Sequence, residues 1–150
     1  KKDIIIRLFR VDYAWRQKER WKDKFPIVKI NSGEGSIWDL IKKSRLIVDT
    51  FNTTTFIDTM FLNIPTMIFW NPTYFEFSNQ AEGAFKMLED NGVFHRTPQS
   101  ISNFINTKWD EISSWWFGSK VQNARAYFCN QFSKDDPNMV KKFVQYLDYR

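Results

Sequence analysis

Short apolar runs alternate with stretches of helical period along this chain. Residues 4–9 predict a buried strand, followed by a helix over residues 14–24 with Trp15 and Trp21 as inward anchors. Pro26 precedes a second strand at residues 27–30, and the loop Asn31-Ser32-Gly33-Glu34-Gly35 turns the chain so that Ser36 caps a helix over residues 37–43. Leu46, Ile47 and Val48 read as a third buried strand. It runs into Asn52-Thr53-Thr54-Thr55, which opens a helix whose apolar positions Phe56, Ile57, Met60 and Phe61 recur at helical spacing. Asn63-Ile64-Pro65 ends that helix, and a fourth strand covers residues 66–70. After a turn at Asn71-Pro72-Thr73, a helix runs from Asn79 or Gln80 to a stop at Asn91-Gly92, and Val93-Phe94-His95 supplies a last short strand. From Thr97-Pro98 onward the period is helical, with Ile101, Phe104 and Ile105 on one apolar side and further segments at residues 108–116, 119–132 and 138–149.

Strands that alternate with helices across short loops predict an α/β, Rossmann-like domain: a parallel sheet of about four or five strands flanked by helices, with a helical C-terminal tail. At 150 residues the chain is expected to form one domain with its own core. The opening at Lys1-Lys2-Asp3, without an initiating Met, suggests part of a longer protein. In such a sheet a helix start at the carboxyl edge is a natural seat for an anion, because its first N–H groups lack intrahelical acceptors and the helix dipole is positive there. Asn52, Thr53, Thr54 and Thr55 occupy that position; the same residues would also serve as plain N-caps.

Charge and composition narrow the chemistry. The formal net charge of +5 suits an anionic partner, but the basic residues are interleaved with Glu19, Asp23, Glu34 and Asp39, which dilutes any field. One Cys and one His exclude an internal disulfide and a zinc cluster, so a reducing cytoplasm is the expected setting. No stretch approaches the roughly 18–20 continuous apolar residues of a membrane span, which leaves peripheral association as the expected mode of any membrane contact. Gly33-Glu34-Gly35 is not a dinucleotide fingerprint, and no Walker loop is present.

Three blocks carry a family resemblance: RLFRVDYAWRQKERWKDKFP, SIWDLIKKSRLIVDTFNTTTFIDTMFLNIPTMIFWNP and GVFHRTPQS. Together they resemble the C-terminal region of bacterial sugar transferases associated with O-antigen and surface-polysaccharide loci. More distantly, the strand, Ser/Thr-rich helix start, apolar helix, Pro turn and second strand look like the donor-binding half of GT-B glycosyltransferases. The resemblance implies a nucleotide sugar as substrate, a glycan acceptor, a missing N-terminal domain that brings the acceptor and any catalytic base, and no cofactor or obligatory metal. The catalytic residues themselves stay unassigned.

The candidate donor contacts are then Arg7, Asp12, Ser32, Gly33, Asn52, Thr53, Thr54, Thr55, Asn71 and Glu76. Fixed positive potential at a helix start, with Arg or Lys nearby, can hold a phosphate leaving group without a metal. Arg7 would reach the cleft from the first strand or form a structural ion pair. Asp12 would orient a sugar hydroxyl or cap its loop, and Ser32-Gly33 would approach a base or ribose or make a simple turn. Glu76 would accept ribose or sugar hydroxyls, or stay solvated. His95 and Cys129 read as structural. Trp115-Trp116 beside Phe117 read as packing or as a contact surface for the missing half. The competing readings are a nucleic-acid-binding module, motivated by basic charge with 18% aromatic residues, and a protein-interaction domain. No RRM, KH or helix-turn-helix signature supports the former, so no nucleic-acid partner is expected.

Overall fold

The structure is a computed structural model that describes residues 3–71, 73–134 and 136–148, with the backbone alone at 147–148. The expected turn residue Pro72, the helix end at Tyr149 and the opening Lys1-Lys2 lie outside the described residues. The chain divides into two compact units, Lys1–Ser44 and Arg45–Arg150. All five strands among the described residues are parallel, as the alternation predicts, and they are hydrogen-bonded as a two-stranded and a three-stranded sheet. The fold is α/β.

In the first unit, β1 (Ile5–Arg7) pairs with β2 (Lys29–Asn31) in the register Ile5↔Lys29, Ile6↔Ile30, Arg7↔Asn31. Each strand of a two-stranded sheet is an edge, and the expected burial of β1 is not found: Ile4 and Ile5 are 60% and 48% exposed. Helix α1 (Gln17–Lys24) starts three residues later than its period suggested, because Tyr13, Ala14 and Arg16 all take positive φ. Trp15 consequently points to solvent rather than inward, and Trp21, 36% exposed, packs on Phe25 at 5.5 Å. Strand β2 begins late because residues 26–28 form a turn closed by Val28 N–H on the Phe25 carbonyl. Helix α2 (Ile37–Ile41) starts as expected, with Ser36 Oγ accepting from Trp38 N–H at 3.2 Å.

The second unit is β3 (Ile47–Asp49), α3 (Thr54–Phe61), β4 (Thr66–Phe69), α4 (Asn79–Asp90), β5 (Phe94–His95), α5 (Pro98–Lys108), a 3₁₀ turn at Trp109–Glu111, α6 (Ile112–Trp116), α7 (Ser119–Phe132) and α8 (Met139–Asp148). Strand β4 is central, between β3 and β5. Its side chains alternate between two cores, as a strand covered on both faces requires. Ile68 and Trp70 join Phe56, Phe85, Phe94 and Phe128 under α3, α4 and α7, whereas Met67 packs with Ile101 and Ile112 under α5 and α6. Strand β3, like β5, is an edge of this sheet, and Val48 is 42% exposed instead of buried.

Long-range polar contacts fasten the helical layer. Asn63, at φ 56°, ends α3 and accepts on Oδ1 from Trp116 Nε1 at 2.9 Å and Gln122 Nε2 at 3.0 Å. Arg125 Nη1 donates to the Met60 carbonyl at 2.8 Å. Trp116 is therefore fully buried and Trp115 is packed with its Nε1 on the Asn91 carbonyl, so these two are core rather than a contact surface; Phe117 alone of the three is exposed. Cys129 packs against the same core.

Candidate functional site

The carboxyl ends of β3 and β4 bring one group of expected residues together. Asp49 is the register partner of Ile68, itself the partner of Phe94, and parallel partners share a face; Asp49 thus lies on the side covered by α3, facing that helix's first turn. Its carboxylate accepts from the Phe51 N–H at 3.2 Å, from the Phe56 and Thr50 N–H groups and from the Thr53 hydroxyl. Phe56 is the third residue of α3, so Asp49 caps the helix from the end of the strand. Thr53, at the N-cap position, makes no capping bond of its own. Burial pushes the Asp49 carboxyl above its ordinary pKa, and those four hydrogen bonds oppose the rise without cancelling it.

Asp49 is the functional candidate that the sequence reading missed. Its signal was an acidic residue at a strand's last position, followed within a few residues by a helix start. Because Asp49 takes the Phe56 N–H, the mouth of α3 is left to the Thr54 and Thr55 N–H groups, the exposed Thr54 side chain and the exposed Asn52.

The loop after β4 lies beside this mouth through the Phe51–Phe75 ring contact at 5.4 Å. Asn71 shapes that loop, its Oδ1 accepting from Thr73 N–H at 3.0 Å and its carbonyl from Tyr74 N–H at 3.0 Å. Phe75 and Phe77 then dock on Trp70, both at 6.2 Å, and Phe77 stacks on Phe85 at 4.2 Å. Glu76, between two inward rings, is carried outward into solvent. Under the loop, the buried Trp70 Nε1–H has no acceptor among the described residues.

The remaining expected residues belong to the first unit, where the structure binds them into its own loops. Arg7 Nη1 donates to Asn31 Oδ1 (2.9 Å) and the Glu34 carbonyl (3.1 Å), and Nη2 to the carbonyls of Gly33 (3.1 Å) and Gly35 (3.0 Å). All four N–H groups on its terminal nitrogens are thereby engaged, which makes Arg7 the organiser of the 31–35 loop rather than one half of an ion pair. Gly33 sits at φ +92° with its backbone against Arg10, where a Cβ would come 2.8 Å from Arg10 Cα. Ser32 N–H is held by Glu34 Oε2 at 3.0 Å. Asp12 caps α1, accepting from Arg16 N–H at 2.8 Å and Gln17 N–H at 2.9 Å.

A hollow of ≈ 460 Å³ lies elsewhere, between the end of α4, β5 and the start of α5, and none of the expected residues lines it. Its polar groups are largely spent on one another. Arg96 Nε pairs with Glu89 at 2.8 Å, and His95 bonds through both ring nitrogens, to Ser100 Oγ at 2.8 Å and the Gly92 carbonyl at 3.0 Å. A carbonyl can only accept, so Nε2 carries the proton. Burial lowers the His95 pKa, which keeps the ring neutral and structural. Among the described residues no three His, Cys, Asp or Glu side chains gather as metal ligands, and no helix is long and apolar enough to cross a membrane.

Parallel strands joined by helices, with polar loops gathered at their carboxyl edge, place the chain among α/β domains whose chemistry is carried by those loops. It belongs to the LIC12162 family: residues 1–147 match the description LIC12162 family transferase. Comparison with curated proteins and with solved structures finds no match.

Proposed function

We propose that this chain is the donor-binding part of a glycosyltransferase of GT-B type, which moves a sugar from a nucleotide sugar to a surface glycan such as an O-antigen. Membership of a transferase family supports the reaction class. The single observation that carries the donor site is the mouth of α3, where the Thr54 and Thr55 N–H groups face the carboxyl edge of a parallel sheet with only the third amide capped from within. The donor phosphate sits there, between Asn52 and Thr55. Glu76, on the neighbouring loop past Asn71, accepts hydrogen bonds from ribose or sugar hydroxyls. Ser32 and Gly33 belong to the 31–35 loop of the first unit, with the Ser32 N–H held by Glu34 Oε2 and the Gly33 N–H by Asn31 Oδ1. Arg7 acts by holding that loop, and Asp12 by fixing the start of α1. An N-terminal domain brings the acceptor, and the enzyme works in the cytoplasm, at the inner face of the membrane.

The test is a titration of nucleotides and nucleotide sugars followed by Trp fluorescence, repeated with Thr54→Val/Thr55→Val. The double variant removes two hydroxyls with little change of volume and should weaken binding by about tenfold, near the worth of one or two hydrogen bonds. Unchanged affinity both in the folded double variant and in Thr54→Pro, which removes an N–H of the mouth at a first-turn position that tolerates proline, would place the phosphate elsewhere.

A further inference from the structure

The turn between β1 and α1 displays Phe9, Tyr13 and Trp15 to solvent, 66%, 62% and 64% exposed. The three rings follow one another at 6.1 Å (Phe9–Tyr13, 16° between planes) and 5.8 Å (Tyr13–Trp15, 47°). The backbone beneath them is strained: Tyr13, Ala14 and Arg16 have φ of 48°, 62° and 52°, a left-handed region that only glycine enters freely. Asp12 holds the strain in place through the Arg16 and Gln17 N–H groups and, with its carbonyl, through Trp15 N–H at 2.9 Å. Burial does not offset the strain, since the rings it displays gain little from the core. Strain of this kind, over-determined by its surroundings, is characteristic of ligand clamps. Arg10 and Arg16, both exposed, place two guanidinium groups in the same turn.

We propose that this turn is a binding platform for an acidic glycan. The ring faces of Phe9, Tyr13 and Trp15 take the apolar faces of successive sugar rings, and Arg10 and Arg16 pair with carboxylates on them through bidentate hydrogen bonds. The choice of a glycan rests on the sugar-transferase reading, and it adds to that reading an acceptor class whose contacts inside this chain stand beside those of the N-terminal domain. A second partner with the same complementarity, single-stranded nucleic acid, would also stack on aromatics beside arginine. Interleaved Glu19 and Asp23 on α1 repel any polyanion that runs on past the turn, which favours a short acidic glycan held within the turn over a long phosphate backbone.

The experiment uses the whole protein, with oligogalacturonate as the acidic probe, a neutral maltooligosaccharide and a single-stranded oligothymidylate as comparisons, and acrylamide quenching of Trp15 as readout against a Trp15→Phe background. Oligogalacturonate is expected to shield Trp15 and bind more tightly than either comparison. Tyr13→Gly, which relieves the φ strain but removes the central ring, is expected to raise the unfolding midpoint while weakening oligogalacturonate by about tenfold. Ala14→Gly relieves the neighbouring strain without touching a ring and should keep affinity within about twofold. Absence of shielding, equal or tighter binding of the oligothymidylate, or full affinity in Tyr13→Gly overturns the proposal. A parallel titration with nucleotide sugars, read in the Thr54→Val/Thr55→Val background, separates the two sites. Glycan binding without nucleotide-sugar binding would remove the donor reading and leave the platform standing, and the reverse would remove the platform alone.

Discussion

Replacing Asp49 tests the best-defined polar contact at the candidate site. Asp49→Ala withdraws the acceptor from the Phe56 N–H of α3, from the Phe51 and Thr50 N–H groups and from the Thr53 hydroxyl. Solvent can reach part of this cluster, so the loss should resemble that of a strong helix cap, about 1–2 kcal/mol. For a domain near 100 residues each kcal/mol corresponds to roughly 4–8 °C in Tm. Asp49→Asn keeps one acceptor oxygen and the side-chain shape, and should cost only a few tenths of a kcal/mol, about what a neutral for a charged group means at a partly exposed helix start. The two variants also differ from wild type in pH dependence. Burial raises the Asp49 pKa above its ordinary 3.8, so the folded chain holds that proton more tightly than the unfolded one. Its contribution to stability is present in full below 3.8 and is lost as pH rises through the folded value. Asn does not titrate. Urea unfolding of wild type and Asp49→Asn between about pH 3.5 and about pH 7 should therefore show the difference moving in favour of the variant as pH rises. An Asp49→Ala midpoint equal to wild type would refute the cap, and a pH-independent difference, or one of opposite sign, would refute the balance between burial and hydrogen bonding.

Two further outcomes follow from contacts near β5. Gly92 has φ +73° and its missing Cβ would overlap the Phe104 ring, so Gly92→Ala should lose about 2–4 kcal/mol of stability, from left-handed strain and overpacking together, seen as a lower denaturation midpoint. His95 is buried neutral with its pKa below the ordinary 6.5, so its contribution is present above 6.5 and is lost as pH falls through the folded value; unfolding midpoints should drop on that side, and His95→Gln should flatten the slope.

The second unit was largely legible in the sequence. Phe56, Ile57, Met60 and Phe61 gave the period of α3, Asn63-Ile64-Pro65 its stop, and Thr97-Pro98 the start of α5; these signals are local, α3 begins and ends within a residue or two of them, and α5 begins at Pro98. What sequence could not carry was neighbourhood. An apolar triplet such as Ile4, Ile5 and Ile6 reads as buried, yet its burial depends on which strand lies beside it, and here β2 is the only hydrogen-bonded neighbour among the described residues. The sequence leaves Trp115 and Trp116 open between packing and a contact surface because their acceptors, Asn91 and Asn63, lie 24 and 53 residues away. The capping of α3 was misread for a similar reason. The Thr triplet sits at the cap position, but the carboxylate that reaches the Phe56 N–H arrives from the strand, through a bend that periodicity does not register.

The fastening of α7 to the turn after α3 bears on how the chain emerges during synthesis. Asn63 waits for Trp116 and Gln122, and Met60 for Arg125, across sequence separations of 53, 59 and 65 residues. Until Phe128 has left the ribosome, Phe56 and Phe85 lack the ring that closes over them at 5.9 Å and 5.5 Å. A nascent chain stalled after α6 therefore displays a sticky aromatic face on an unfinished sheet, the type of surface that holding chaperones recognise and that otherwise self-associates. Slow codons placed before α7 would lengthen that exposure, whereas rapid passage through residues 119–132 shortens it.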